Sequence, residues 1–291
     1  MSGSLRIALT PAGPRIFRPA DLPVARLLRG RDAAEVAEML PRLFNLCGAA
    51  QGEAARLALG IGTDDNPEDA TRREVLRDHL AKLFIAWPRL LGLAPQPLPQ
   101  NWAEGGRRLS RAIWGHAEMP GDLRRWLGWD EGVAPVLSAI AETFAKGEAE
   151  AALPALSDPF TLAAEDNSPA ARVADHPLMQ EAEARFGRGP FWRALGRAVD
   201  LQAAIEDVFG AESPAPGRAT APAARGTYAI EVALQDGRLT DLTRITPTDH
   251  LLAPGGVLER SLATLPSAKA RLAPLVVDIL DPCVPWEVAD A

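Results

Sequence analysis

The chain has 291 residues, 47% hydrophobic and 24% charged, which is enough apolar side chain for one soluble domain spanning 1–291. Its net charge is −7 and its arginines are scattered singly or in pairs ("TRREVLR", "GRRLSR"), so a nucleic-acid partner is not expected. No apolar run is long enough to span a bilayer, and "MSGSLRIALTPAG" lacks the charged, apolar and small-residue regions of a signal peptide, so a cytoplasmic protein without a membrane partner is expected.

In chain order, "LRIAL" alternates like a short strand and ends in Pro and Gly punctuation. Asp32 reads as the N-cap of a helix carrying Val36, Met39 and Leu40 on one face until Pro41 interrupts it. A second helix is expected from Gly48, which puts Cys47 at a helix N-terminus, where backbone N–H groups and the dipole favour a thiolate. "NPEDATRREVLRDHLAKLFIAWPRLLGL" is the strongest helical stretch, opened by Asn66 and Pro67 and carrying Val75, His79 and Phe84 at three- and four-residue intervals.

Shorter helices are predicted around Trp126, over Val136 to Phe144, and over Glu181 to Phe209 with a break at "GRGP", which lacks the rest of a phosphate-loop pattern. Residues 212–224, "ESPAPGRATAPAA", read as a loop or linker rich in Pro, Ala and Gly. After them "TYAIEVALQDGRLTDLTRITP" alternates on both sides of Asp236-Gly237, the turn pair of a tight hairpin. The predicted fold is α+β and predominantly α, a helical body with a C-terminal β-hairpin.

Two cysteines stand near opposite ends, Cys47 in "RLFNLCGAAQ" and Cys283 in "DPCVPWEVADA". Three arrangements are open to them: a disulfide, rare as a structural device in a reducing compartment; two buried small side chains; or a two-thiolate site assembled across the fold. The four histidines, His79, His116, His176 and His250, show no zinc spacing, and His79 and His250 read as core or surface residues.

Three segments together resemble the large subunit of nickel-iron hydrogenases. "RLFNLCGAAQ" follows that family's R-x-C-G-x-C-x-x-x-H without a gap: Arg42 and Cys47 match, Phe44 replaces the first Cys and Gln51 the His. Asp281, Pro282 and Cys283 match D-P-C-x-x-C-x-x-H, with Trp286 and Ala289 in place of its last Cys and His. "AARGTYAIEVALQDGRLTDLTRITPTDH" is similar to A-P-R-G, a D-G hairpin and V-P-[ST]-T-W, through Arg225, Gly226, Asp236, Gly237, Pro247 and Thr248, with His250 on the Trp. "RDHLAKLF" is a weaker match to D-H-L-x-x-F.

In that family four thiolates hold nickel and two bridge to an iron carrying cyanide and carbon monoxide. The resemblance puts Cys47 on a bridging and Cys283 on a terminal position, with Phe44 and Trp286 filling the two lost nickel-ligand positions. No nickel is therefore expected. An iron as Fe(CN)2CO would retain two thiolates, with Arg225 and Thr248, beside Gly226 and Pro247, as its cyanide-binding residues.

Lost nickel ligands with a retained cyanide pocket resemble the HupK/HoxV type of hydrogenase maturation protein, a degenerate relative of the large subunit. That implies an accessory scaffold rather than an enzyme, binding or relaying Fe(CN)2CO. Its partners would be small chaperone and iron-assembly proteins and the apo large subunit. The alternative is a metal-free interaction protein holding the same partners. With no extension after Ala291 and no R-I-E-G-H glutamate in "SGSLRIAL", neither maturation proteolysis nor hydrogen chemistry is expected.

Overall fold

A computed structural model describes residues 3–44, 46–62 and 67–290. The long helix Pro190–Ile205 runs through the centre of a helical body and buries nearly every residue. Its Gly196 has a packing reason: a Cβ there would lie 2.3 Å from that of Ala170, on the short Pro169–Arg172 helix. Around it pack Pro67–Leu80, Gly106–Trp114, Ala134–Thr143, Pro177–Phe186 and Ala273–Leu280, closing a core that holds Trp87, Trp114, Trp126 and Trp192. Among the described residues no helix is long and apolar enough to cross a membrane.

The helix Pro67–Leu80 bears out the strongest helical expectation, although the proposed cap Asn66 lies outside the described residues. It continues into a π-helical turn, Ala81–Ala86, before Trp87–Leu90. Pro88 explains the widening, because its ring has no N–H to donate and would clash with the carbonyl four residues back. That carbonyl, on Phe84, accepts instead from Gln96 N at 2.8 Å.

Two sheets flank the body. Strands β1 (Leu5–Thr10) and β2 (Gly13–Phe17) form a hairpin, and the other edge of β1 pairs with a C-terminal strand, β7 (Trp286–Asp290), in the sheet order β2-β1-β7. The second sheet is antiparallel in the order β3-β4-β5-β6, with β3 Glu212–Ala215, β4 Arg218–Ala223, β5 Gly226–Gln235 and β6 Arg238–Ile245. Its hairpin turns at Asp236 (φ 50°) and Gly237 (φ 75°), both left-handed, as the Asp-Gly pair predicts. β7 (Trp286–Asp290) runs parallel to β1, with Leu5 opposite Trp286.

Residues 212–224 are thus not a linker. They supply β3 and β4, and the expectation failed because Ala, Pro and Gly carry little strand preference of their own. The pairing is decided by packing: Ala219, Ala221 and Ala223 alternate into a core faced by Ala50, Ala54, Ala55 and Ala58 of the Gly48–Ala58 helix. The Ala33–Met39 helix, capped by Asp32 through Glu35 N as expected, contributes Val36 and Ala37 to this second core.

Candidate functional site

Cys47 is the N-cap of the Gly48–Ala58 helix in a left-handed conformation (φ 56°, ψ 28°), 4% exposed. Its side chain does not cap the helix; Glu74 does so from the Pro67–Leu80 helix, accepting from Ala49 N at 3.1 Å. The sulfur is therefore released from local bonding and turned toward Cys283. Cys283 follows the Ala273–Leu280 helix, which ends at Asp281, also left-handed (φ 54°). Its N–H donates to Thr248 Oγ1 at 2.8 Å, and the two sulfurs lie 3.9 Å apart. Both thiols are free.

Arg225 stands where β4 passes into β5. The turn needs Gly226 (φ 138°), since a Cβ there would meet the Asn167 carbonyl oxygen at 2.3 Å. Asn167 in turn clamps Thr227, accepting from its N at 2.7 Å and donating to its O at 2.9 Å. The guanidinium is thereby aimed inward. Arg225 Nη1 is 3.5 Å from Cys47 Sγ and donates to Asp78 Oδ2 at 3.0 Å, while Nε lies 3.1 Å from Asp281 Oδ2. At the far end of the hairpin a capping box between Thr246 and Asp249 fixes Pro247 and Thr248 in the first turn of the Pro247–Leu251 helix. Thr248 Oγ1 accepts from Cys283, so its own proton is left to donate.

Behind this group runs a buried ionic chain. Asp281 also meets Arg197 Nη2 at 3.2 Å and Lys82 Nζ at 3.0 Å. Arg197 Nη1 lies 3.1 Å from His79 Nδ1, and His79 Nε2 lies 2.7 Å from Asp200 Oδ2. Asp200 takes a two-point contact from Arg172 at 2.8 and 2.7 Å. A guanidinium can only donate, so His79 Nδ1 must be bare and the proton sits on Nε2, pointing at Asp200.

The charges follow from this wiring. Burial lowers the His79 pKa to about 4, so the imidazole is neutral. Burial would raise Asp281, but Arg225, Arg197 and Lys82 outweigh it and hold the carboxyl well below the usual carboxylate range. Burial opposes the charge on Arg225, yet Asp281, the two sulfurs and Asp78 push its pKa above the ordinary value. Contact between the sulfurs pulls the Cys283 thiol down, with help from Arg225, and pushes the Cys47 thiol up, with help from burial.

A cavity of about 30 Å³ borders Arg225, Pro247 and Thr248 and is closed by Arg197, Asp281 and Leu251. Phe44 packs against the same core as both cysteines, with the Arg244 guanidinium 4.2 Å above its ring. Trp286 lies in β7 against the tryptophan-rich core. Gln51, on the motif's His, is buried and donates to the Leu46 carbonyl at 3.3 Å. Among the described residues no three His, Cys, Asp or Glu side chains are grouped for a metal. The soft donors this arrangement offers are two sulfurs 3.9 Å apart.

Sequence reasoning did not single out Asp78, Lys82, Arg172, Arg197 or Asp200 as a network. One signal was present: "FWRALGRAVDLQAAI" places Arg193, Arg197 and Asp200 at four- and three-residue spacing in an otherwise apolar helix. Buried charges in such a setting must be paired.

No family model matches the chain. It is 59% identical over 294 residues to the hydrogenase expression/formation protein HupK of Rhodobacter capsulatus, covering 100% of this chain and 99% of that one. It is 29% identical over 374 residues to the hydrogenase expression/formation protein HoxV of Cupriavidus necator, covering 97% and 96%. Its fold is that of the hydrogenase large subunit. The Ni-Fe-Se hydrogenase of D. vulgaris Hildenborough superposes with a TM-score of 0.58 at 14% identity over 93% of each chain. That of Desulfomicrobium baculatum does so with 0.59 at 12% identity, again over 93% of each.

Proposed function

Since this chain belongs to the HupK family of hydrogenase expression/formation proteins, we propose that it serves nickel-iron hydrogenase maturation as a scaffold that holds Fe(CN)2CO on Cys47 and Cys283 and passes it on. The observation that carries this reading is the approach of the two sulfurs to 3.9 Å beside Arg225 and Thr248. One iron at thiolate distances of about 2.3 Å reaches both sulfurs. Three diatomic ligands and two sulfurs leave at most one position for a further group.

Each residue has a part in this reading. Both Cys47 and Cys283 would ligate as thiolates, so iron binding releases whatever protons the two sulfurs hold. Cyanide nitrogens are acceptors with negative charge; Arg225 N–H groups and the Thr248 hydroxyl are the donors that meet them, and both residues border the adjoining cavity. Asp78 and Asp281 fix the guanidinium in that direction. With Phe44 and Trp286 incapable of ligation, nickel has no four-thiolate site, and the protein acts as an assembly scaffold rather than as an enzyme. Its partners are cytoplasmic maturation factors that deliver the iron group and the apo large subunit that receives it.

The test is infrared spectroscopy with iron analysis on protein co-produced anaerobically with the maturation machinery. Cyanide and carbonyl stretches with about one iron per chain are expected, and both should vanish in Cys47→Ala and Cys283→Ala, whose small truncations leave the fold intact. Iron-free, band-free protein that still supports full hydrogenase maturation would overturn the scaffold role in favour of a metal-free interaction protein.

A further inference from the structure

Sulfurs 3.9 Å apart stand ready for a second chemistry that needs no metal. A disulfide has its sulfurs about 2.05 Å apart, so the pair is roughly 1.9 Å from bonding. Both cysteines sit on irregular backbone. Cys47 is the left-handed residue ahead of its helix, and Cys283 lies in the bend between the Ala273–Leu280 helix and β7. The remaining gap is to be closed by side-chain rotation and movement of these two turns. The two positions differ in exposure as residues: Cys283 is partly exposed and Cys47 is buried. With Cys283 as the point of entry, Cys47, 3.9 Å away, is in place to resolve the adduct. Arg225 Nη1, 3.5 Å from Cys47 Sγ, places positive charge beside the resolving sulfur.

We propose that Cys47 and Cys283 form a reversible disulfide by exchange with small disulfides of the glutathione class, and that this bond shuts the site to metal. Cys283, as thiolate, attacks one sulfur of the small disulfide, forming a mixed disulfide and expelling the first small thiolate, which takes up the proton Cys283 has lost. Cys47, deprotonated, then attacks the Cys283 sulfur and expels the second small thiolate, which takes the Cys47 proton. The two protein thiols are oxidised and one small disulfide is reduced to two thiols, so atoms and electrons balance. That the bond forms is independent of any metal; that it shuts the site rests on the iron-holding role proposed above.

The test uses full-length, metal-free protein equilibrated anaerobically with a series of reduced-to-oxidised glutathione ratios, quenched with a thiol alkylator and weighed intact. One transition is expected, from a doubly alkylated species to one that is two hydrogens lighter than the unmodified reduced chain, carries neither alkyl group nor glutathione, and reverts with dithiothreitol. Cys47→Ser should instead stop at a single glutathione on Cys283. Both thiols alkylated at every ratio, or a stable species with two glutathiones, overturns the proposal. In a second arm each redox form is offered a synthetic dicyanocarbonyl iron complex, and cyanide bands are measured after gel filtration. The oxidised form should retain at least about tenfold less than the reduced form. Equal retention overturns the closure, whereas no retention by either form overturns the iron-holding role and leaves the disulfide standing.

Discussion

Trp87, Trp114, Trp126 and Trp192 are fully buried in the core of the helical body, while in the second core β4 lays Ala219, Ala221 and Ala223 against Ala50, Ala54 and Ala55 of the Gly48–Ala58 helix. Large rings hold helices at a distance and fill the space between them; alanines let a helix settle close onto a sheet. Cys47 rides on the second kind of packing. Asp281, Arg197 and His79 are carried by helices of the first. The site occupies the seam, and its chain of ion pairs is what the two regions have in common. One region therefore supplies anchorage and the other supplies proximity.

This division can be broken most forcefully in the seam and in the large core. Asp281→Ala leaves Arg225, Arg197 and Lys82 facing one another across a buried gap, and should cost about 3–5 kcal/mol in urea unfolding. Trp192→Ala should cost a similar amount, about 3–5 kcal/mol, yet the folded fraction of that variant should keep its affinity for the iron complex. Lost affinity there would show that the tryptophan core shapes the site directly.

The pH dependence of stability sharpens the same point. In the unfolded chain His79 takes up a proton below about 6.5, whereas in the fold it resists protonation until about 4. Between these values only the unfolded state binds the proton, so acid favours unfolding. Stability should be complete above pH 6.5 and fall by about 3 kcal/mol on the way to pH 4. Asp200, pulled down to about 2 by Arg172 and His79 against the effect of burial, adds a further loss between the usual carboxylate range and that value. His79→Gln should flatten the slope between pH 6.5 and 4; an unchanged slope would place the titration elsewhere.

Arg225→Ala should weaken retention of the iron group by about one to two orders of magnitude and shift the cyanide stretches more than the carbonyl stretch. Unchanged bands would remove the guanidinium from the cyanide pocket. The smallest effect on stability is expected in the alanine core. Ala54→Leu should cost about 1–3 kcal/mol by overpacking and lift the Gly48–Ala58 helix, so iron retention should fall further than stability alone explains. Retention that tracks stability would mean that Cys47 does not depend on close packing.

Legibility in the sequence followed the same divide. Where a residue acts through local physics the element was readable: Asp32 as a cap, Asp236-Gly237 as a hairpin turn, Pro41 as a helix stop. The convergence of Cys47, Cys283, Arg225 and Thr248 was readable only through resemblance to a larger family, because partners so far apart in the chain leave no periodic trace. β3 and β4 were misread because their alanines gain strand character only against the helix that covers them. β2 and β7 also escaped, since a short edge strand is decided by the strand it pairs with, here β1. The ionic chain behind the site was written in the charges of Pro190–Ile205, but three charges on one helix do not say whom they meet.

The widened turn at Ala81–Ala86 constrains how this protein can change in length. On its near side Asp78 and His79 face the site, within it Lys82 reaches Asp278 and Asp281, and on its far side Trp87 lies under Arg197, 5.9 Å from the guanidinium. An α-helix advances about 100° per residue, so deleting one residue here would restore regular winding and swing one flank out of register with the other. Insertions and deletions should be tolerated beyond Gln96, whose N–H holds the Phe84 carbonyl, and refused in these six positions. Among homologues, chain length should drift around this turn and never within it.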